Sequence, residues 1–199
     1  MKKSLLTLLL AVALTAPVFA TDKGAMEVDV KAGISLIQEL KMEHDGWSHT
    51  YDTETTFSLG ADFFYYVASN IAVGAGVDHI FSSKLKNGTG DKLGYTNIYV
   101  QAKYDFVLNN DIFNNIYPII QLGYGLLDLD FNTDFPGTSW EGESGLYWAI
   151  GVGTTIKENF IVELIYSFDY GKMKFKPSND TYDLTYKILK LNVGYKFTF

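Results

Sequence analysis

No cysteine and no arginine occur among the 199 residues, and only four are proline. Without cysteine, neither a disulfide framework nor a thiolate metal site is available. All 16 basic residues are lysines, so the guanidinium best suited to bidentate phosphate or base recognition is missing. A formal net charge of -7 opposes nucleic-acid binding as well. An AT-rich genome suffices to explain an arginine-free chain. Beyond the N-terminus, no segment supplies the roughly 18 consecutive apolar residues of a spanning helix. No nucleotide loop, metal-ligand spacing or cofactor motif is present.

The N-terminus is organised for export. Lys2 and Lys3 precede an apolar stretch from Leu5 to Leu14, and Val18-Phe19-Ala20 offers a cleavage site after Ala20. The apolar stretch is too short for a membrane anchor. The expected organisation is a cleaved signal peptide, 1–20, and one domain, 21–199.

Aromatics make up 16% of the chain, with 14 Tyr and 14 Phe, a composition that suits strands. Apolar residues alternate with small or polar ones in eight runs, at about 28–36, 56–65, 71–78, 97–106, 120–126, 146–153, 160–169 and 189–199. The connections alternate in length. Short ones fall at 68–70 and 157–159 and a medium one at 107–116; long polar ones fall at about 38–54, 82–94, 128–143 and 172–183. Short turns on one side and long loops on the other predict an all-β, eight-stranded antiparallel up-and-down transmembrane barrel with four long outer loops.

The glycines decide which face is inside. Gly33, Gly60, Gly74, Gly76, Gly123, Gly125, Gly151, Gly153 and Gly194 share the face that carries the charges. A solvated sheet face has little need of them. A narrow lumen does, because large side chains from every strand would collide there. The opposite face is almost unbroken hydrocarbon and aromatic, which matches lipid. Tyr65, Phe106, Phe160, Phe197 and Phe199 are expected at one membrane interface, and Phe81, Tyr95, Phe168 and Tyr170 at the other. Closure requires the first and last runs to pair, since an open edge in lipid strands its backbone groups.

The chain ends Asn192-Val-Gly-Tyr-Lys-Phe-Thr-Phe199. Asn192, Gly194, Phe197 and Phe199 resemble the C-terminal signal read by the barrel-assembly machinery of Gram-negative outer membranes. Over 21–199 the layout is similar to small eight-stranded outer-membrane proteins, such as the membrane domain of outer membrane protein A and the Opa-type barrels. That resemblance implies an outer-membrane location and contact with lipid and lipopolysaccharide. It also implies one of several roles: envelope integrity or adhesion to a host or environmental ligand through the loops, a narrow channel for small or hydrophobic solutes, or lipid modification.

The inward charges Lys31, Asp62, Asp78, Lys103, Asp105, Glu163, Lys190 and Lys196 are expected to form a polar network filling the lumen, with Lys31 near Asp62 and Lys196 near Glu163. Unpaired, each would cost several kcal/mol to bury. The loops alternate in sign: acids dominate the first and third, and lysines the second and fourth, so neighbouring loops are set to pair. His44 and His49 flank Ser48 beside Asp45 and Asp52, the residue types of an acyl-transfer site. Polar loops collect such residues without catalysis, and the expectation is that the protein is not an enzyme. His79 falls on the lipid-facing register.

Overall fold

The computed structural model describes residues 23–86, 91–108, 112–130, 139–176 and 180–199. The expected signal peptide lies outside the described residues, as does part of each of the expected second, third and fourth loops. The described residues form eleven strands: β1 (Met26–His44), β2 (Trp47–Asp52), β3 (Phe57–Ala68), β4 (Ile71–Lys84), β5 (Lys92–Tyr104), β6 (Phe106–Val107), β7 (Phe113–Asp130), β8 (Ser139–Glu143), β9 (Gly145–Ile156), β10 (Phe160–Lys176) and β11 (Asp180–Thr198).

Eight of them make the barrel. Antiparallel pairing runs β1–β3–β4–β5–β7–β9–β10–β11, and β11 returns to β1 over Glu27↔Thr198 through Glu43↔Asp183. The ring is closed. Met26 and Phe199 exchange backbone hydrogen bonds of 3.1 and 2.8 Å, which puts the described start of the chain and its C-terminus at the end that carries the short turns.

Period-two alternation does the sorting. Val100 on β5 is 62% exposed and Phe57 on β3 is 65% exposed, whereas Tyr99 and Ser58 beside them are buried. Burial on the inside and apolar exposure on the outside is the inverse of a soluble barrel, and only lipid makes that outer face stable.

The strands are longer than the alternation suggests. Spanning takes about 9–11 residues, yet β1 and β11 have 19 each, β7 has 18 and β10 has 17. Much of the expected first, third and fourth loops is therefore sheet. On β1 and β4 bulges concealed this; β10 and β11 extend without one. On β1 the register shifts between Ser35 and Ile37, so Leu36 and Ile37 both face outward at 52 and 56% exposure. Past that point the inward set changes parity, to Gln38 and Leu40. A second shift between Ile80 and Ser83 on β4 does the same for Ser83 and Leu85. One extra residue moves every later side chain to the other face.

The result is a wall of unequal height. β8, β10, β11, β1 and β2 stand side by side above the membrane-spanning belt. The β1–β2 hairpin closes through Asp45 (φ 44°) and Gly46 (φ 80°), a two-residue turn whose positive φ values match the twist of the flanking strands. The β9–β10 turn is three residues long, Lys157 to Asn159, and holds Lys157 (φ 47°) and Glu158 (φ 71°) at positive φ values that suit them poorly. Replacing Lys157 with Asn and Glu158 with Gly is expected to stabilise the barrel by about 1 kcal/mol. An unchanged or lower urea unfolding midpoint in lipid vesicles would count against that assignment.

Candidate functional site: lumen and outer wall

The lumen has two storeys. In the lower one, Lys31 on β1 reaches across to Glu163 on β10 (Nζ–Oε2 2.8 Å) and also pairs with Asp62 on β3. Tyr99 donates to Asp62 (2.8 Å) and Tyr117 to Glu163 (3.0 Å). Each ring lies over a glycine. A Cβ on Gly76 would fall within 2.6 Å of the Tyr99 ring, and one on Gly153 within 2.6 Å of the Tyr117 hydroxyl. That is the steric need that the inward glycines serve.

Nearer the short turns, Lys103 on β5 pairs with Glu27 on β1, and its ammonium sits 4.1 Å from the centroid of the Phe64 ring. Lys196 lies 3.8 Å from Glu27. The Tyr66 hydroxyl is 2.8 Å from Asp105 and 3.0 Å from Glu27, so one phenolic proton serves two carboxylates. Asn115 donates to the other oxygen of Asp105. Higher up, Lys190 on β11 pairs with Asp78 on β4. Flexible four-carbon stems let lysines span this width.

Asp29 and Asp169 differ from these. Both are fully buried, and neither oxygen of either carboxylate has a hydrogen-bond partner. Among the described residues, the buried charges comprise seven carboxylates (Glu27, Asp29, Asp62, Asp78, Asp105, Glu163 and Asp169) against four lysines (Lys31, Lys103, Lys190 and Lys196).

The upper storey is apolar. Leu40, Ile80, Leu85, Leu93, Met173, Leu184 and Ile188 pack with Tyr95 and Tyr186, whose rings stack at 5.4 Å and 20°. The Tyr186 hydroxyl donates to Gln38, and the Gln38 amide donates in turn to Ser35 (2.6 Å). Ser35, Gln38 and Tyr186 are thereby partnered, whereas the Tyr95 hydroxyl is not.

All eight of the expected lumen residues are buried in the interior, but their pairing differs from the expectation in one respect. Lys196 turns to Glu27, because Lys31 already occupies Glu163. Tyr95 is also corrected. It belongs to the lumen cap and not to the outer interfacial ring, since Asn97 and Tyr99 on its own face are inward. Glu27, Asp29 and Asp169 complete the network unanticipated, although strand parity places all three on the inward face.

On the outer wall, opposite charges meet between the third and fourth loop regions and within the fourth. Lys174 pairs with Glu143, Lys176 with Glu141, and Lys172 with Asp183 (3.6 Å). The Lys174 ammonium holds the Glu143 carboxyl below its ordinary range through a hydrogen bond and its charge. His44 Nδ1 lies 2.8 Å from the carbonyl of Thr181, and its ring stacks on Tyr182. His49 sits between Trp47 and Tyr51. Ser48 alternates to the opposite face from His49, so these residues do not assemble a nucleophile and its base. His79 faces outward and meets the Thr96 hydroxyl at 2.9 Å.

A concavity of about 660 Å³ at the β1–β2 hairpin tip is lined in part by Glu43, His44, Asp45, Trp47 and Asp180. Among the described residues, no group of three or more His, Cys, Asp or Glu is arranged to hold a metal ion.

Comparison with solved structures returns small outer-membrane barrels. The outer membrane protein OprG from Pseudomonas aeruginosa is 12% identical, with a TM-score of 0.61 over 90% of this chain and 98% of that one. AlkL, determined in lipid bilayers, is 15% identical, with a TM-score of 0.57 over 92% and 94%. Neisserial surface protein A is 18% identical, with a TM-score of 0.51 over 87% and 99%. No curated protein sequence matches. The model for the outer membrane protein beta-barrel domain matches residues 6–197. With its ring closed and its apolar face turned outward, the chain belongs to this outer-membrane β-barrel family.

Proposed function

We propose that this protein is a sealed, non-enzymatic outer-membrane barrel whose outer wall and hairpin tips make contacts that serve envelope integrity or adhesion. The observation that carries the reading is the filled lumen: buried lysine–carboxylate pairs cross it at three levels, and an apolar cap closes it above. Side chains filling a narrow barrel leave no aqueous path. Contact with a surface ligand then falls to the wall of β8, β10, β11, β1 and β2 and to the tip concavity beside Trp47. Lipopolysaccharide surrounds the outer rim in this reading. The signal peptide, 1–20, is removed on export, and Asn192, Gly194, Phe197 and Phe199 direct insertion by the assembly machinery.

A second reading rests on a seam. Above the Gly125↔Gly145 pair, β7 continues to Asp130, but β8 pairs with β10. Between them, Leu127 and Leu129 face Gly142, and the Leu127 amide donates to the Ser144 hydroxyl (3.0 Å). Such a seam beside an apolar cap suits passage of a small hydrophobic solute sideways through the wall at the outer rim.

Planar-bilayer recording of refolded residues 21–199 separates these readings. The expected result is no discrete conductance steps from protein that shows a heat-dependent shift on a denaturing gel. Regular steps would overturn the sealed lumen. Electrical silence together with faster entry of an apolar dye into vesicles would favour the seam.

A further inference from the structure

β2 leaves one edge of the outer wall open. It pairs with β1 from Trp47 to Asp52, and among the described residues no other strand joins it there. In an antiparallel pair, successive residues direct their backbone groups to alternate sides. The Thr53 amide donates to Gln38 of β1, whereas the Asp52 carbonyl accepts from the Lys86 amide on the other side. Trp47, His49 and Tyr51 therefore turn their backbone groups toward β1, and Ser48 and Thr50 turn theirs away from it. Below, the isolated bridge Thr53↔Leu85 closes the edge. Above that bridge, the amides and carbonyls of Ser48 and Thr50 meet no backbone partner among the described residues.

Edges of this kind are ordinarily blunted with lysine, proline or a bulge. β2 reads Trp-Ser-His-Thr-Tyr-Asp, with neither lysine nor proline, and its register with β1 is unbroken. The two faces define what an added strand must carry. On the inner face, Trp47, His49 and Tyr51 form a row with ring centroids 5.6 and 4.5 Å apart, and Trp47 is half exposed. Apolar side chains placed alongside would extend this row. On the other face, Ser48 opens onto the tip concavity, where Glu43, Asp45, Asp180 and Asp183 line the wall and, among the described residues, no lysine does. Basic side chains suit that side. A second copy in the same membrane does not fit. A two-fold axis along the membrane normal would make the two β2 strands, tilted about 35–45° in such barrels, cross instead of running side by side.

We propose that the open edge of β2 takes up one extended segment of another protein, alternating apolar and basic residues, as an added antiparallel strand. The donor and acceptor of Ser48 and of Thr50 each gain a backbone partner, and the two faces select the sequence. This is a mode of contact for the outer wall and rests on the surface role proposed above.

The test is calorimetric titration of the refolded barrel, residues 21–199, in nanodiscs of zwitterionic lipid, with an acetylated peptide of alternating lysine and valine. Residues opposite Ser48 and Thr50 lie on the basic side, so the lysine amides are the ones that reach β2. A twin peptide carries N-methyl groups on those amides and keeps the charge. Saturable binding of the plain peptide is expected, weakened about tenfold by the N-methyl groups. Thr50→Pro removes an amide that β1 does not use and is expected to weaken the plain peptide by a similar factor, while Thr50→Val binds it as wild type does. Absence of binding to barrel that shows the heat-dependent gel shift overturns the proposal. So does equal binding of the two peptides, which identifies attraction to the acidic tip alone, or equal binding of the plain peptide by wild type and Thr50→Pro. Should Thr50→Pro fail to fold, the two peptides against the wild-type barrel decide. None of these outcomes alters the conductance of the barrel, so the edge and the sealed lumen fail separately.

Discussion

Lys31→Met is expected to remove about 3–5 kcal/mol from the unfolding free energy. The lysine is the shared cation of Asp62 and Glu163, and all three side chains are almost wholly buried. Methionine keeps most of the volume, so packing loss contributes little and the uncompensated carboxylates dominate. The measurement is the urea midpoint in lipid vesicles, followed by tryptophan fluorescence. Adding Asp62→Leu and Glu163→Leu to Lys31→Met should recover much of the loss, because a buried triad replaced by apolar residues of similar size is often neutral in stability. A single variant that unfolds at the wild-type midpoint would show that water reaches the triad and screens it. The lumen would then be wet, contrary to the sealed reading.

Gly76→Leu is expected to be comparably severe by a different route. Asp62 Oδ1 and the Tyr99 ring already occupy the place where a side chain at position 76 would begin. Making room displaces the tyrosine from its 2.8 Å hydrogen bond to Asp62 and disturbs the partner of Lys31. Overpacking alone costs about 1–3 kcal/mol, and loss of a hydrogen bond to a charged group adds about 1.5–3 kcal/mol. The two are coupled, so the sum is an upper bound. Val100→Leu provides the contrast, since that side chain is 62% exposed on the lipid face. A change within about 0.5 kcal/mol is expected there. Equal effects at the two positions would mean that the inward and outward faces have been assigned the wrong way round.

The face assignment was legible because alternation and glycine placement report the same thing independently. Gly76 and Gly153 lie inward where tyrosines cross the lumen, and Val100 and Phe57 lie outward where no polar residue interrupts. The lower network was legible for the same reason: Lys31, Asp62, Lys103 and Glu163 stand at inward positions of unbroken runs. What alternation could not convey is height. At Leu36 and again at Phe81–Ser82 the pattern breaks, and a break looks like the end of a strand when it is a bulge within one. The upper part of β1 and the Leu40 and Leu85 contributions to the cap lie beyond those breaks. β10 and β11, by contrast, run on unbroken and read as a loop because their upper outward side chains, such as Lys172, Lys174 and Asp183, are charged. Asp45-Gly46 was the available signal for the β1–β2 hairpin, because such a pair between two strand-like stretches marks a two-residue turn. Lys31 with Asp62 was legible from neighbouring runs, but pairs that meet across the barrel were not, since partners such as Lys190 and Asp78 stand 112 residues apart.

The same bulges constrain how the outer half of this barrel can change length over evolutionary time. Flexible loops accept insertions and deletions of any size, but a strand held in register on both sides does not. Loss of the single residue Leu36 would turn Gln38 and Leu40 out of the cap and drive their outward neighbours into it. Removal of two residues would shorten the wall and keep its facing. Variation in the stretch 36–44 is therefore confined to even steps, or to odd steps matched by a gained or lost bulge. Free variation in length is left to the hairpin tips.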